Sequence, residues 1–258
     1  MVPSILVGIG FVLAAIALVL GCYFGARQLL HGGDELDKTH DVAGTVAVRV
    51  AALHGLILAL VYAQELDDYK GVRTVITQEA IAISDVYHDI SRYGGSAAAT
   101  IQPELARYLA IVVNEEWDML GGKNGLSPAA WGVWDSLYGQ ILDLDPATDR
   151  QRYLANRMRN SITDVARLRQ TREATGGLAT LFWAPAVIGL ALVAIPFYVY
   201  RPTRTHITLL SLYGAYAGVL LFFIFAFSNP FAEPGRLPPR AFEHLLAGDI
   251  GKSLPAAP

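Results

Sequence analysis

Charged residues and cysteine are both scarce in this sequence. Only 17% of the 258 residues are charged and 53% are hydrophobic, whereas ordinary soluble domains have about 25% charged and about 45–50% apolar residues. The single cysteine, Cys22, excludes an intrachain disulfide framework and a CxxC metal site. The formal net charge of −3 excludes the broad positive field that attracts nucleic acid, so no nucleic-acid partner is expected.

The sequence also lacks the short motifs that mark common enzyme classes. It contains no G-x-S-x-G, Walker A, H-E-x-x-H or G-x-G-x-x-G pattern. We therefore expect no enzymatic activity, no catalytic residues and no cofactor.

Four apolar blocks are present instead, and each is long enough to cross a bilayer, which takes about 20 helical residues. They predict transmembrane helices at residues 5–26, 43–64, 177–200 and 207–228. Span two carries Arg49 and His54, whereas the other three spans carry no charged residue. The predicted fold class is an all-α integral membrane protein with four transmembrane helices.

Small residues within the spans point to close helix contacts. Gly21 and Gly25 form one G-x-x-x-G pair, and Gly214 and Gly218 form another. This spacing lets two helix backbones approach closely in lipid. Glycine is also frequent in membrane helices in general, so the pattern alone leaves both interpretations open.

The polar stretch between spans two and three, residues 65–176, predicts an inserted helical bundle. From Tyr69 to Tyr93 the apolar positions alternate by three and four residues, as in a helix packed in a bundle. No helix-breaking residue separates this seam from span two, so one continuous helix is expected. Three further helices are predicted to begin near these prolines: Pro103, Pro128 and Pro146.

Charge is divided along this domain. Residues 65–149 contain fourteen acidic and five basic residues, whereas residues 150–176 contain seven arginines and two acidic residues. Pairing of a basic fourth helix with acidic neighbours explains the division. A surface that binds a protein partner is the alternative.

Two glutamates stand where the bundle seam should be apolar. Glu79 lies in the first helix, and Glu116, or its neighbour Glu115, lies in the second. A buried carboxylate without a partner is costly, so each should pair with a base. The expected partners are three arginines of the fourth helix: Arg157, Arg159 and Arg167.

A metal site is the alternative use of these carboxylates. Asp85 and His88 have the i, i+3 spacing found in di-iron bundles, and the glutamates would add oxygen ligands. Such bundles need two carboxylate–histidine pairs, and the sequence offers one. We therefore predict ion pairs and no metal.

Lysine and arginine near the span ends predict the orientation. Four of them follow spans one and three: Arg27, Lys38, Arg201 and Arg204. Ten lie on the other side: Lys70, Arg73, Arg157, Arg159, Arg167, Arg169, Arg172, Arg236, Arg240 and Lys252. Because basic residues concentrate on the cytoplasmic side, both termini, the bundle and a tail at residues 229–258 are expected in the cytoplasm, beside the plasma (inner) membrane.

Several stretches resemble the bacterial bestrophin-like domain family of membrane proteins, which is distantly similar to bestrophin ion channels. They are Asp68-Tyr-Lys-Gly-Val-Arg73 with Thr77-Gln-Glu-Ala80, Asn114-Glu-Glu-Trp117, and Ser228-Asn-Pro-Phe231 with Arg236-Leu-Pro-Pro-Arg-Ala-Phe242. Two spans, a helical domain and two more spans is also the layout of bestrophins. The resemblance covers about residues 43–246 and implies a homo-oligomer in a bacterial inner membrane, a pentamer if it is bestrophin-like.

The resemblance to bestrophin channels further implies that span two lines an ion pore. One candidate face of this span consists of Arg49, Leu53, Leu56, Leu60 and Asp67, and the other consists of His54, Leu58, Val61, Glu65 and Val72. Asp68 stands beside Asp67 at the same end. Either face would give an apolar constriction that gates by dewetting, followed by charge at the cytoplasmic mouth.

The sequence departs from the bestrophin pattern in two places. It lacks the aromatic-rich neck with the Asp-Arg-Trp-Trp-like segment after it. It also lacks the acidic C-terminal cluster that holds calcium in animal bestrophins, so no calcium site is expected. Bestrophins imply anions as the conducted ions, whereas the carboxylates at the end of span two favour a weak preference for cations.

The leading hypothesis from the sequence is a homo-oligomeric, channel-like membrane protein that conducts inorganic ions. The alternative is a non-conducting membrane scaffold or sensor whose helical domain binds a protein partner.

Overall fold

The computed structural model describes residues 2–30, 37–174 and 179–254, and no strand occurs within these ranges. The chain is all-helical, as the sequence predicts. Four parts of the predicted layout lie outside the described residues: the loop at residues 31–36, the end of the inserted bundle at residues 175–176, the start of the third span at residues 177–178, and the last four residues of the tail.

The chain divides into two compact units. The first comprises Met1–Tyr69, Gly177–Asn229 and Glu233–Gly235. The second comprises Lys70–Gly176, Pro230–Ala232 and Arg236–Pro258. One helix, α2 (Asp37–Tyr93), contributes to both units.

Among the described residues, four helices are long and apolar enough to cross a membrane. Besides α2 they are α1 (Val2–Leu29), α7 (Ala179–Ala194) with a 3₁₀ turn at Ile195–Val199, and α8 (Arg204–Phe227). The shift from α to 3₁₀ geometry in the third span occurs at Pro196, which has no N–H to donate to the preceding turn.

Two glycines bring α1 and α8 into close contact in the first unit. A Cβ added at Gly214 would lie 2.9 Å from Cα of Ile16, and one added at Gly218 would lie 2.7 Å from Cα of Val12. The predicted helix contact is therefore confirmed for this pair. It is wrong within the described chain for the pair in α1, because an added Cβ at either of those glycines has nothing within 4 Å.

In its described part, the second unit contains the remainder of α2 and six further helices. They are α3 (Gly95–Ile111), α4 (Trp117–Gly121), α5 (Pro128–Leu142), α6 (Asp149–Ala174), α9 (Arg240–Ala247) and α10 (Asp249–Lys252). A π-helical turn at Val112–Glu116 joins α3 to α4. The last two helices follow α8 in the sequence and belong to this unit rather than to a separate tail.

The predicted continuity of α2 is confirmed, since the helix runs for 57 residues without a break. Along its second half the predicted seam is buried, with Val72, Ile76, Ile83, Val86 and Ile90 each at most 5% exposed. The helix ends before Gly94, whose φ of 76° is a left-handed conformation that glycine adopts without strain.

Two of the predicted helix starts are displaced. α3 begins at Gly95 and not near Pro103, because the alanines at residues 97–99 are strong helix formers and extend the helix before the proline. α6 begins at Asp149, three residues after Pro146. The start at Pro128 is correct, and the preceding Ser127 caps α5 by accepting a hydrogen bond from the Ala130 N–H at 3.3 Å.

Replacing Gly218 with alanine should destabilise the protein, because the added methyl group would overlap the backbone of α1. Overpacking of this kind costs about 1–3 kcal/mol. Gly21→Ala is the matched control, since its methyl group meets nothing and alanine favours the helix. Thermal unfolding in detergent should show a lower midpoint for Gly218→Ala only, and equal midpoints for the two variants would contradict the α1–α8 contact.

Candidate functional site

Four charged side chains lie together in the second unit and are completely buried. Glu79 of α2, Glu116 of the π-helical turn, and Arg169 and Arg172 of α6 each have side chains that are 0% exposed. Two carboxylates and two guanidinium groups balance in charge. We refer to these four residues as the buried ion cluster.

Arg172 joins the two glutamates of the cluster. Its Nε donates to Oε2 of Glu79 at 2.9 Å, and its Nη2 donates to Oε1 of Glu116 at 2.6 Å. Arg169 donates from Nε to Oε1 of Glu116 at 3.1 Å and from Nη2 to Oε2 of the same carboxylate. Its Nη2 also donates to the carbonyl of Ser127 at 3.0 Å. Paired bonds between guanidinium and carboxylate are the strong and directional ones, so the four side chains hold one arrangement.

Uncharged groups complete the hydrogen bonding of the carboxylates. The Tyr108 hydroxyl donates to Oε1 of Glu79 at 3.3 Å, and the main-chain N–H of Ser127 donates to Oε2 of Glu116 at 2.8 Å. Burial raises the pKa of Tyr108 well above its usual value, which keeps this hydroxyl protonated as a donor.

Aromatic rings cover both guanidinium groups. Cζ of Arg169 lies 4.3 Å from the ring centroid of Trp131, and Cζ of Arg172 lies 4.9 Å from that of Trp117. Such contacts are worth about 2 kcal/mol when they are desolvated. Trp117 also donates from Nε1 to the carbonyl of Leu237 at 2.7 Å, which ties the segment after α8 to the cluster.

Folding moves the pKa values of the two glutamates in opposite directions. Both glutamates lie outside the predicted membrane spans, well beyond the apolar block at residues 43–64. Burial raises the pKa of Glu79 above its usual value, although the charge of Arg172 opposes the change. Burial also acts to raise the pKa of Glu116, but the hydrogen bond from Arg169 and the charges of both arginines outweigh it and lower that pKa. Glu116 is therefore the carboxylate that stays ionised to lower pH.

The arginines predicted to pair with these glutamates have other partners. Their contacts are Arg157 with Asp89 at 2.9 Å and Asp85 at 3.4 Å, Arg159 with the carbonyls of Leu142 and Leu144, and Arg167 with Asp164 at 3.0 Å. Glu115 is exposed and lies outside the cluster. The prediction of these pairings is thus wrong, although a basic α6 does pair with acidic residues of α2 and the π-helical turn.

The spacing of the buried residues along α6 indicates the arginines that do pair with the cluster glutamates. Its buried face runs Leu154, Met158, Ile162, Val165, and the next steps of four and three residues fall on Arg169 and Arg172. A pattern based on hydrophobicity alone selects Leu168, which is only half-buried, instead of Arg169.

The carboxylates weighed as metal ligands are engaged by arginine. Asp85 contacts Arg157, both glutamates of the cluster accept from Arg172, and His88 is exposed. Within the part of the chain that the structure describes, no group of three or more His, Cys, Asp or Glu residues is placed to hold a metal ion.

The α2 helix presents two different faces. His54, Leu58, Val61 and Glu65 are at most 5% exposed, and Val72 further along is fully buried. The opposite candidate set is exposed, with Leu53, Leu56 and Leu60 at 63%, 58% and 63%, and with Arg49 and Asp67 also exposed. Asp68 is half-buried and accepts a hydrogen bond from Gln64 at 2.9 Å.

Helices α7 and α8 cover the buried face of α2. Leu58 and Val61 share a hydrophobic cluster with residues of both helices: Ala186, Leu221 and Ile224. His54 lies 2.9 Å from the carbonyl of Ala186 through Nε2 and 2.9 Å from the hydroxyl of Tyr213 through Nδ1. Because a carbonyl only accepts, Nε2 carries the proton and Nδ1 accepts from the tyrosine.

The exposed face of α2 follows a regular seam. Its members are spaced by three and four residues in alternation: Val46, Arg49, Leu53, Leu56, Leu60, Ala63 and Asp67. This spacing is typical of a helix that packs lengthwise against other helices. Within the described residues, no helix of the chain covers this seam.

Four helices able to span a membrane, joined to a second helical unit built around buried charges, define a class of integral membrane protein. A family model for the bestrophin-like domain matches residues 13–242. The chain belongs to the bestrophin-like family, and the resemblance noted in the sequence is confirmed. None of the curated proteins compared with the chain matches it.

The fold is similar to that of a bacterial bestrophin homologue from Klebsiella pneumoniae. Two crystal structures of that homologue, each carrying a single mutation, match with TM-scores of 0.65 and 0.62 at 12% sequence identity. Each match covers 95% of this chain and 98% of the homologue.

Replacing the two cluster glutamates by glutamine should change the pH dependence of stability in opposite ways. Folding lowers the pKa of Glu116, so its stabilising contribution is present above the usual carboxyl value of 4.5 and is lost as the pH falls through the folded-state value. Folding raises the pKa of Glu79, so its contribution is present below 4.5 and is lost as the pH rises through the folded-state value.

Thermal unfolding of wild type, Glu79→Gln and Glu116→Gln across a series of pH values measures this difference. Near neutral pH, Glu116→Gln should cost on the order of 3 kcal/mol, because it leaves a buried guanidinium unbalanced. Glu79→Gln should cost less there, because the raised pKa of Glu79 means that folding disfavours the ionised form that glutamine removes. The deficit of Glu116→Gln should shrink toward acid pH, whereas that of Glu79→Gln should grow. If the unfolding midpoints of the two variants changed with pH in the same way, folding would not shift the pKa values of the two carboxylates in opposite directions.

Proposed function

We propose that this protein is a homo-oligomeric, channel-like membrane protein that conducts inorganic ions along an axis lined by α2. The observation that carries this proposal is the exposed seam on α2, which holds three leucines between Arg49 and Asp67. In a symmetric assembly each of these positions repeats as a ring around the axis. The copy number expected from the resemblance to bestrophins is five.

The covering of α2 supports the choice of face. His54, Leu58 and Val61 already pack against α7 and α8 of the same chain. Using them to line a pore would require that packing to be broken. The seam at Leu53, Leu56 and Leu60 is free to face an axis without any rearrangement of the chain.

The order of residues along the seam matches a dewetting constriction. The leucine segment, from Leu53 to Leu60, is eight residues long and rises about 10 Å along the helix, which is enough for a narrow dry zone. Arg49 stands before this zone and Asp67 stands after it. Rings of opposite sign at the two ends favour weak selectivity.

The expected ion preference is weakly for cations. Of the three carboxylates at this end of α2, Asp67 is exposed, Asp68 is half-buried and Glu65 is 5% exposed. The negative field at this end of the axis therefore comes mainly from the ring of Asp67 side chains, which attracts cations. This field is weaker than the field of three exposed carboxylates per copy would be.

We also propose that both termini and the second unit lie in the cytoplasm, with the spans in the plasma (inner) membrane. The support is the excess of lysine and arginine on that side of the predicted spans.

Shortening the dry zone should increase conduction. Leu56→Thr places a hydroxyl group on the proposed axis, so the single-channel conductance of the purified protein in a planar bilayer should rise severalfold. Leu212→Thr is the matched control, because Leu212 of α8 is 62% exposed and lies outside the seam. The control should leave conductance unchanged.

Two outcomes contradict the channel proposal. Equal effects of the two substitutions would mean that the seam does not line the conducting path. Absence of current from a purified, reconstituted oligomer would favour the non-conducting scaffold or sensor whose helical unit binds a protein partner. A reversal potential near the chloride equilibrium value in asymmetric salt would overturn the proposed cation preference alone.

A further inference from the structure

A basic pocket lies within the second unit, apart from the buried ion cluster. It has a volume of about 370 Å³ and is formed between α2 and the segment that leads into α9. Arg73 contributes from α2, and Arg240 contributes from the first position of α9. None of the residues that line the pocket is acidic.

Both arginines of the pocket are exposed, and their side chains have no partner among the described residues. Of its twelve arginines, four have no hydrogen bond or ion pair from the side chain to any described residue: Arg73, Arg107, Arg150 and Arg240. Two of the four line the same pocket. Two cations held at one cavity without a counter-charge repel each other, and an anion between them removes that cost.

The walls of the pocket are held by packing. Ile76 is 5% exposed and Leu237 is 9% exposed. The main chain of Leu237 is fixed at both ends, since its N–H donates to the carbonyl of Pro230 at 2.7 Å and its carbonyl accepts from Trp117 at 2.7 Å. The segment that carries Arg240 therefore starts from a fixed point at Leu237.

We propose that this pocket binds a phosphate group between the guanidinium groups of Arg73 and Arg240. A guanidinium group presents a planar pair of N–H donors that matches two oxygens of one phosphate, so two arginines satisfy its charge and most of its acceptors. The cavity is larger than a single monatomic anion requires, and its apolar walls fit the organic part of a phosphate ester. A lipid headgroup and a soluble phosphate ester carry the same group, and the proposal does not depend on conduction.

Binding by the full-length protein in detergent tests the proposal with two probes. Inorganic phosphate is titrated against the protein at constant ionic strength, with chloride as the balancing anion. Phosphatidylglycerol is added separately and counted as adducts by native mass spectrometry, with phosphatidylcholine as the zwitterionic comparison. Saturable phosphate binding identifies a soluble source, whereas phosphatidylglycerol adducts that persist in phosphate identify a lipid headgroup.

The double variant Arg73→Gln with Arg240→Gln should lose at least tenfold in affinity for the probe that binds. The matched control is Arg107→Gln with Arg150→Gln, which removes the same charge from two exposed arginines outside the pocket. Thermal midpoints of both variants should equal that of wild type, because none of the four side chains has a partner. Arg73→Lys keeps the charge but loses the paired donors, and it should bind with intermediate affinity.

Three results would contradict the proposal that this pocket binds phosphate. The first is equal binding of both probes by wild type and the pocket variant. The second is an equal loss in the control variant, which would indicate only bulk charge. The third is no binding of either probe by wild type.

Discussion

Four charges that have no access to water must neutralise one another, and the second unit is organised by that requirement. Glu79, Glu116, Arg169 and Arg172 come from three separate elements, so none of these elements is stable in place without the others. Burial of each ion is costly, and the cost is offset only where charge and hydrogen bonds are both matched. Removing any one member leaves a buried charge unbalanced.

Distant stretches of the sequence that carry the family resemblance meet at the cluster. Glu79 belongs to the Thr77–Ala80 stretch, and Glu116 belongs to the stretch that ends at Trp117. Trp117 covers Arg172 and binds the carbonyl of Leu237, which lies in the last stretch. Segments that are far apart in sequence and carry the resemblance therefore lie in one packed core.

The α2 helix meets a different constraint in the first unit. It is a single helix of 57 residues, and the chain covers only one side of its apolar half. The leucine seam lies on the exposed side and follows a packing period of three and four residues. Under the proposed function, a copy of the same helix related by symmetry packs against it.

Much of this architecture follows from local sequence features. Apolar blocks and the absence of breakers predict the four long helices and the continuity of α2, because both depend on residues close together in the chain. Glu79 and Glu116 stand out because they interrupt an apolar period. Their partners, Arg169 and Arg172, do not stand out in the sequence. Charged side chains on α6 are typical of a solvent-exposed surface, and only packing of the neighbouring helices buries them.

The face of α2 that points outward also depends on tertiary packing. Both candidate faces are apolar in the middle and carry a carboxylate at the same end, so the sequence does not decide between them. The difference is made by α7 and α8, which are more than a hundred residues away and cover His54, Leu58 and Val61. The hydrophobic pattern of α2 alone does not predict its contact with α7 and α8.

A structure of the purified protein in lipid nanodiscs, determined by electron cryo-microscopy, tests the central claim most directly. The account predicts a closed ring of identical copies with Leu53, Leu56 and Leu60 of every copy on the symmetry axis. A monomer would contradict it, as would an oligomer whose axis is formed by another helix.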